Sequence, residues 1–460
     1  MIPKHPKTIK RQDCRAKPGS FGRQVAYKIS ARKMYIAKLL LLLFAAGYYH
    51  INTAYSTTLV PESGQSKSDG IVVESDYVLT PPEQSNDQPR KSKTVSGIEE
   101  FLGSPHFSSQ RLFDGRGGRS IVTAHDGTVL AFDGKYLRPS RDGGKTWGEP
   151  REIGHDASGT NVVLNELTGE ILVVSPNGHM WKSSDHGQTF KREDIEILPD
   201  GFGFGSPDSV PLILWAMQSG IALEYGQNKG RLIMPGRILG PANSNNDEWR
   251  AYHYSTAIYS DDGGKTWQMS KPFPVLGTGE AALAEISDGS ILYNSREHMS
   301  KGNRFIAWSH DGGDTWLDAH RSEYLPDGPR GSSYGCMGGL VRLPVDGYDI
   351  LIYSNLDSEF GDMPEAVGGT IETDRERITV WASFDGGKTW PVKRLVYEGP
   401  SAYSNLGVGR SGTSSEGKIY LLFEGGPDHM YSGVKVAVFN LGWLLNGRDL
   451  NEFLPKGGKG

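Results

Sequence analysis

The chain has 460 residues, a formal net charge of −5 and two cysteines, Cys14 and Cys336. The mild charge and the lack of a basic stripe argue against nucleic-acid binding, and two cysteines cannot form a disulfide scaffold. No Cys/His cluster has metal-ligand spacing, so we expect neither a metal nor a cofactor. Because Cys14 falls in a segment interpreted as removed or disordered, Cys336 is predicted to be a lone buried thiol.

The first hundred residues differ in composition from the rest. Residues 1–33 are a basic extension, predicted to be disordered or not translated, with Met34 as an alternative start. Residues 34–54 combine a basic flank, a short apolar run and small residues, which is typical of a secretory signal; an uncleaved membrane anchor is the alternative. Residues 55–100 are rich in Ser, Pro, Asp and Gln and are predicted to be a disordered linker. We therefore expect a secreted, periplasmic or membrane-anchored extracytoplasmic protein, with a monomer as the default.

Residues 101–455 contain five copies of one turn motif, typified by SDDGGKTW. The copies are Ser140–Trp147, Ser183–Phe190, Ser260–Trp267, Ser309–Trp316 and Ser383–Trp390. Asp and Ser side chains satisfy turn backbone groups, Gly residues permit positive φ, and the terminal aromatic residue can fill an apolar gap. The motif is the Asp box, a hairpin turn of bladed all-β proteins.

The spacing of the boxes predicts a β-propeller. Intervals of roughly 40–50 residues match the period of a four-stranded blade, and intervals nearly twice as long indicate a blade that lacks a box. Short β-rich runs lie between the boxes, with no sustained helical period. These runs are Gly127–Phe132, Gly169–Val174, Gly230–Pro235, Gly289–Asn294, Arg377–Ser383 and Lys418–Gly425. About 350 residues at four strands per blade predict an all-β, six-bladed propeller.

Segments between the boxes resemble those of sialidases, and they occur in the family order. GTGEAALAEISDGSILYNSR (Gly277–Arg296) resembles the segment in which a catalytic Glu precedes a substrate-binding Arg. The resemblance implies these roles for Glu280 and Arg296. SAYSNL (Ser401–Leu406) resembles the segment with the nucleophilic Tyr, which implies that role for Tyr403.

Three more segments extend the resemblance. RERITVWASFDGGKTW resembles the strand that opens with another substrate-binding Arg, which implies Arg375, with Arg377 as the alternative. KIYLLFEGG resembles the strand whose Glu, here Glu424, buttresses an active-site Arg. SYGCMGGLV (Ser333–Val341) resembles the Cys-Gln-Gly-Ser strand of the family.

The sequence departs from the family at two places. Sialidases open with an Arg-Ile-Pro strand, whereas this chain has GRGGRSIVTAHDGTVLAF, in which Arg119 and Arg116 flank the expected position. Arg119 keeps the strand parity and is ranked first. The loop that delivers the general acid/base Asp in the family is largely missing. Asp133 is the nearest carboxylate, and Asp156 in the next blade is the alternative.

The resemblance implies a retaining exo-glycosidase that acts on sialic acid, or a related carboxylated 2-keto sugar, of a glycoconjugate. Arginines would hold the carboxylate in bidentate geometry. The neutral Tyr403 phenol would attack the anomeric carbon while Glu280 takes its proton; sialidases are the Tyr-nucleophile exception among retaining glycosidases. Two alternatives stay open: a propeller that binds carbohydrate without catalysis, and an Asp-box interaction scaffold without a sugar site.

Overall fold

The computed structural model describes residues 97–116, 119–200, 212–214, 217–239, 253–299, 302–328, 335–358 and 375–455. The predicted basic extension, the signal or anchor segment and nearly all of the predicted linker lie outside these residues. The first described element is helix α1 (Ile98–Leu102), which buries Ile98 and Phe101, so the predicted linker boundary at residue 100 falls inside a helix. Within the described ranges, no helix is long and apolar enough to cross a membrane.

The described residues form an all-β structure with little helix. The strands are β1 (Phe107–Asp114), β2 (Arg119–Thr123), β3 (Val129–Asp133), β4 (Tyr136–Ser140), β5 (Arg151–Glu152), β6 (Val162–Leu164), β7 (Ile171–Ser175), β8 (His179–Ser183), β9 (Lys191–Asp194), β10 (Glu196–Ile197), β11 (Leu212–Ile213), β12 (Ile221–Ala222), β13 (Leu232–Ile238), β14 (Tyr254–Ser260), β15 (Thr266–Met269), β16 (Thr278–Glu285), β17 (Ile291–Glu297), β18 (Asn303–Ser309), β19 (Leu317–Pro326), β20 (Gly339–Arg342), β21 (Leu351–Leu356), β22 (Glu376–Ser383), β23 (Val392–Val408), β24 (Ile419–Gly425) and β25 (Gly433–Phe439). Helix α2 (Leu441–Leu445) and a 3-10 turn (Leu450–Glu452) follow. Each of the six predicted β-rich runs contributes to a strand.

The strands form sheets of similar construction. β2–β5, β6–β9 and β16–β19 are four-stranded antiparallel sheets in chain order. β11–β15 form a fourth sheet, to whose edge β10 adds in parallel. A seven-stranded sheet contains β20–β25 and β1. It consists of two four-stranded sets, because the first half of the 17-residue strand β23 pairs with β22 and its second half pairs with β24.

The inner strands of successive sheets contact one another around a closed circuit. β2 contacts β6, β6 contacts β12 and β13, and β13 contacts β16. β16 contacts β20, β20 contacts β23, and β23 returns to β2. β1 also pairs with β25, so the first and last strands of the domain share a sheet. Buried apolar clusters lie between neighbouring sheets. The arrangement is therefore propeller-like.

Each Asp box joins the last two strands of its sheet or set. In the box Ser309–Trp316, the Ser309 hydroxyl accepts a hydrogen bond from the Gly313 N–H (2.8 Å), and Asp311 accepts one from the Thr315 N–H (3.0 Å). The equivalent bonds occur in the other four boxes. The terminal aromatic residue of each box packs in the cluster shared with the preceding sheet. The boxes thus fix both the turn and the sheet-to-sheet contact.

One prediction from the box spacing is wrong. The boxes on either side of each long interval lie in neighbouring sheets, so the long intervals do not mark a blade without a box. The extra residues lie in long connections, such as those from β13 to β14 and from β21 to β22. The set without a box is the one formed by β23, β24, β25 and β1. Its outer strands β25 and β1 come from opposite ends of the domain, and no turn joins them.

Candidate active site

A bulge in β16 brings Glu280 next to Arg296. The pairing of β16 with β17 shifts register between Thr278 and Ala281, so that Gly279 and Glu280 both lie opposite Arg296. A bulge places two consecutive residues against one residue of the partner strand. Arg296 Nη1 donates a hydrogen bond to Glu280 Oε2, and the two side chains are 0% and 2% exposed. The two predicted residues therefore form a buried ion pair.

The phenol of Tyr403 joins this ion pair from another sheet. Tyr403 lies in the second half of β23, and its hydroxyl donates a hydrogen bond to Glu280 Oε1 at 2.5 Å. The same hydroxyl accepts a hydrogen bond from Arg296 Nη1 at 3.1 Å. On the adjoining strand β24, the buried Glu424 accepts a hydrogen bond from the Tyr403 backbone N–H at 3.0 Å. Glu424 thus fixes the backbone of Tyr403; its predicted support of an arginine stays a prediction.

The charges around this cluster hold Glu280 as a carboxylate and Tyr403 as a phenol. Burial alone would raise the pKa of Glu280, but Arg296, Arg237 and the hydrogen bonds from Tyr403 and Arg296 together lower it below its ordinary value. Burial and the adjacent Glu280 carboxylate raise the pKa of Tyr403 well above its ordinary value. The phenol therefore keeps its proton at rest and has a carboxylate in place to receive it.

Arg375 lies beside the cluster, and Tyr431 links it to Arg116. Arg375 is 5% exposed, and its guanidinium carbon lies 5.7 Å from the centre of the Tyr403 ring. Its Nη1 donates a hydrogen bond to the Tyr431 hydroxyl at 3.3 Å, and its Nη2 donates one to the Gly335 carbonyl at 2.8 Å. The Arg116 guanidinium carbon lies 4.3 Å from the centre of the Tyr431 ring. One tyrosine thus contacts two of the arginines predicted to bind substrate.

Arg377, the alternative to Arg375, lies elsewhere. Its Nη1 is 3.0 Å from Glu398 Oε1, and the two side chains are 37% and 79% exposed. An exposed ion pair of this kind contributes little to stability, and both of its side chains contact solvent. The geometry therefore favours Arg375 over Arg377.

Strand β2 runs beside the strand of Tyr403. The Thr123 hydroxyl donates a hydrogen bond to the Val408 carbonyl at 2.7 Å. A side chain added at Gly407 would meet the Ile121 carbonyl at 3.0 Å. β2 and the second half of β23 therefore run in the same direction, and the start of β2 is its end nearer Tyr403.

Arg119 and Asp133 lie at that end of the first sheet. Arg119 is the first residue of β2, and it pairs with Asp133, the last residue of β3. Their roles as substrate-binding Arg and general acid stay predictions, as does that of Asp156. The Asp156 carboxylate accepts a hydrogen bond from Trp181 Nε1 at 2.8 Å and so contacts the second sheet.

The predicted lone buried thiol is confirmed. Cys336 is free and fully buried, and burial raises its pKa to about 11. In the described part of the chain, no group of three or more His, Cys, Asp or Glu residues could hold a metal ion.

Sequence reasoning missed Tyr431 and Arg237. Tyr431 lies in the loop before β25, and nothing local distinguishes it from a packing aromatic residue. Arg237 lies on β13 in the run LIMPGRI, in which every residue is buried. An arginine inside such an apolar run is the sequence feature that could have identified Arg237 as a functional candidate, because arginine is rarely fully buried without a partner.

The chain matches one protein-family model, several known proteins and several solved structures. The BNR repeat-like domain family matches residues 134–414. The sialidase of Micromonospora viridifaciens is 28% identical over 399 residues, covering 74% of this chain and 55% of that protein. The sialidase of Bacteroides fragilis is 27% identical over 359 residues, covering 69% of this chain and 61% of that protein. This chain thus matches less than two thirds of the length of either relative.

Solved structures share the fold. The Hadza microbial sialidase Hz136 matches with a TM-score of 0.51 at 22% identity, covering 70% of this chain and 65% of that chain. The NanB sialidase of Streptococcus pneumoniae matches with a TM-score of 0.50 at 15% identity, covering 78% of this chain and 71% of that chain.

Proposed function

Because this chain belongs to the BNR repeat-like domain family and is sialidase-like, we propose that it is an exo-glycosidase that hydrolyses terminal sialic acid or a related carboxylated 2-keto sugar. One observation carries the proposal: the buried contact of the Tyr403 hydroxyl with Glu280 and Arg296. A phenol that is hydrogen-bonded to an ionised carboxylate is the arrangement a tyrosine nucleophile needs.

The sugar carboxylate binds at the arginines in this proposal. Arg296 and Arg375 are buried beside Tyr403, and guanidinium groups bind carboxylates in bidentate geometry. Either Arg119 or Arg116 supplies a third guanidinium. The position of Arg119 at the start of β2 supports the first choice. The stacking of Arg116 on Tyr431 supports the second.

The reaction proceeds in two displacements. The Tyr403 oxygen forms a bond to the anomeric carbon as the bond to the leaving oxygen breaks, and the phenol proton passes to Glu280. A general acid, for which Asp133 is the nearest candidate, protonates the leaving group. Water, deprotonated by the same group, then displaces the tyrosine oxygen, and Glu280 returns its proton to the phenolate. Two inversions at one carbon give net retention.

We also infer that the propeller has six blades and that the protein is exported. Three four-stranded sheets, the sheet of β11–β15 and the two sets within the seven-stranded sheet support a count of six. Export rests on the composition of residues 34–54, which suits a signal or an anchor.

Hydrolysis of a fluorogenic sialoside tests the function. We expect kcat/KM of about 10⁴ M⁻¹s⁻¹ or more, within the ordinary range for enzymes. The sugar released first should have the anomeric configuration of the substrate, as observed by NMR early in the reaction. Binding of sialosides and of other 2-keto sugar glycosides without any turnover would instead support a carbohydrate-binding propeller. Absence of both turnover and binding would support a scaffold.

A further inference from the structure

A second buried guanidinium, that of Arg237, lies near Glu280, and no step of the proposed reaction uses it. Arg237, on β13, is 3% exposed, and β13 contacts β16, the strand of Glu280. A Cβ atom added at Gly279, the residue before Glu280, would lie 3.2 Å from Arg237 Nη1. The guanidinium of Arg237 therefore reaches the bulge that positions Glu280, in space that glycine leaves open.

Two histidines share this space with Arg237. His253 and His298 are buried, and their ring centres are 4.7 Å apart in an edge-to-face contact. The same added Cβ at Gly279 would lie 2.7 Å from His298 Nε2. Burial, with a contribution from Arg237, lowers the pKa of His253 to about 4. His253 is therefore neutral near pH 7, whereas Arg237 is charged.

We propose that Arg237 is a positioning residue for the glycosidase reaction: its guanidinium, beside the bulge at Gly279, acts together with that of Arg296 to keep Glu280 ionised and so sets the lowest pH at which Glu280 can accept the Tyr403 proton. The inference rests on the proposed function, because the proton transfer from Tyr403 is what requires an ionised Glu280. A base of this kind must be deprotonated to act. A second cation extends its ionised range to more acidic pH.

Other titratable groups also lie around Glu280. They are Arg296 on β17, Arg304 on β18, Tyr403 on β23, His253 before β14, His298 after β17 and Cys336 before β20, and Arg375 before β22 lies beside Tyr403. Arg304 bonds to the Glu280 carbonyl at 3.1 Å and is paired with Asp327. Tyr403 and Cys336 have raised pKa values and stay neutral through the acidic range. Arg296 and Arg237 are thus the cations that lower the pKa of the Glu280 carboxylate most strongly.

The pH profile of Arg237→Gln tests the inference. The acid limb of kcat/KM against pH reports the essential base of the free enzyme. Loss of a nearby cation raises a carboxylate pKa, so we expect this limb to move to higher pH by about one unit or more. Arg237→Lys should restore most of the shift.

Arg231→Gln is the matched control. Arg231 directly precedes the same strand, is also buried, and pairs with Asp261 and Asp314 away from Glu280. We expect this variant to lower thermal stability and to leave the acid limb in place. A folded Arg237→Gln protein with the wild-type acid limb would overturn the inference, whatever its maximal rate.

A stability measurement separates this inference from the proposed function. The lowered pKa of Glu280 means that its carboxylate contributes stability above the pKa of the unfolded state, and this contribution is lost as pH falls through the folded pKa. In Arg237→Gln we expect the loss in Tm that is due to Glu280 to begin at higher pH. Glu280→Gln should remove this shift and leave only the opposite effect of His253, whose pKa Arg237 also lowers. This readout needs no turnover, so inactivity of the wild type on all sialosides would refute the function alone. Identical pH dependence of Tm with and without Arg237 would refute the inference alone.

Discussion

Tyr403→Phe is expected to lower kcat/KM for a sialoside by about 10³-fold or more, a loss typical of removing a catalytic nucleophile. The change deletes the oxygen that contacts Glu280 and Arg296 but leaves the ring that packs beside Arg375. Binding of the sugar carboxylate should therefore persist. Steady-state kinetics, with binding of a non-hydrolysable analogue measured by calorimetry, would separate the two effects.

Tyr397→Phe is the matched control for this change. Tyr397 lies on the same strand, in the half that pairs with β22, and its ring packs against Phe423. We expect activity within about twofold of wild type, as for a substitution outside the site. A Tyr403→Phe protein that keeps more than a tenth of the wild-type activity would contradict the assignment of the nucleophile.

Arg375→Gln is expected to lower kcat/KM by about 10²- to 10³-fold, the range for losing one partner of a buried charge contact. Arg375 is buried beside Tyr403 and is oriented by the Gly335 carbonyl and the Tyr431 hydroxyl. If the guanidinium holds the carboxylate equally in the bound substrate and the transition state, the loss appears mainly in KM. A sialoside methyl ester provides the second arm. On the methyl ester, the kcat/KM of wild type should fall by most of the factor that Arg375→Gln loses on the free acid, and the variant should lose little more.

Arg377→Gln provides the comparison within the same segment. Arg377 pairs with Glu398 at the surface, so we expect a change of less than about twofold. Equal effects of the two substitutions, or a larger effect at Arg377, would contradict the placement of Arg375 in the carboxylate site. Such a result would restore the alternative that the sequence alone leaves open.

Local features predicted the all-β fold well. The run Gly289–Asn294 became part of β17, and the box Ser309–Trp316 became the turn from β18 to β19, because turn chemistry and strand patterning act over a few residues. The spacing of the boxes was less informative. Interval length does not distinguish a missing box from a long connection between strands, so the prediction of a blade without a box in each long interval is wrong.

The site was predictable where residues lie in recognisable segments. Glu280 and Arg296 are 16 positions apart and meet through one bulge, and Tyr403 reaches them from its own family-like segment. Tyr431 and Arg237 gain their roles only through contacts between separate strands, such as that of Tyr431 with Arg375, 56 positions earlier. No local pattern encodes such contacts. At Arg119 and Asp133 the sequence departs from the family pattern. The fold places both residues at one end of the first sheet, and their roles as substrate-binding Arg and general acid stay predictions.

Covalent capture of Tyr403 tests the mechanism most directly. A 2,3-difluoro analogue of the sugar acid has a good leaving group at the anomeric carbon, and its second fluorine slows the later hydrolysis. We predict that peptide mass spectrometry after incubation finds one glycosyl group on Tyr403, and that Tyr403→Phe stays unlabelled. An adduct on Glu280 or another residue, or no adduct from a protein that hydrolyses sialosides, would contradict a tyrosine nucleophile.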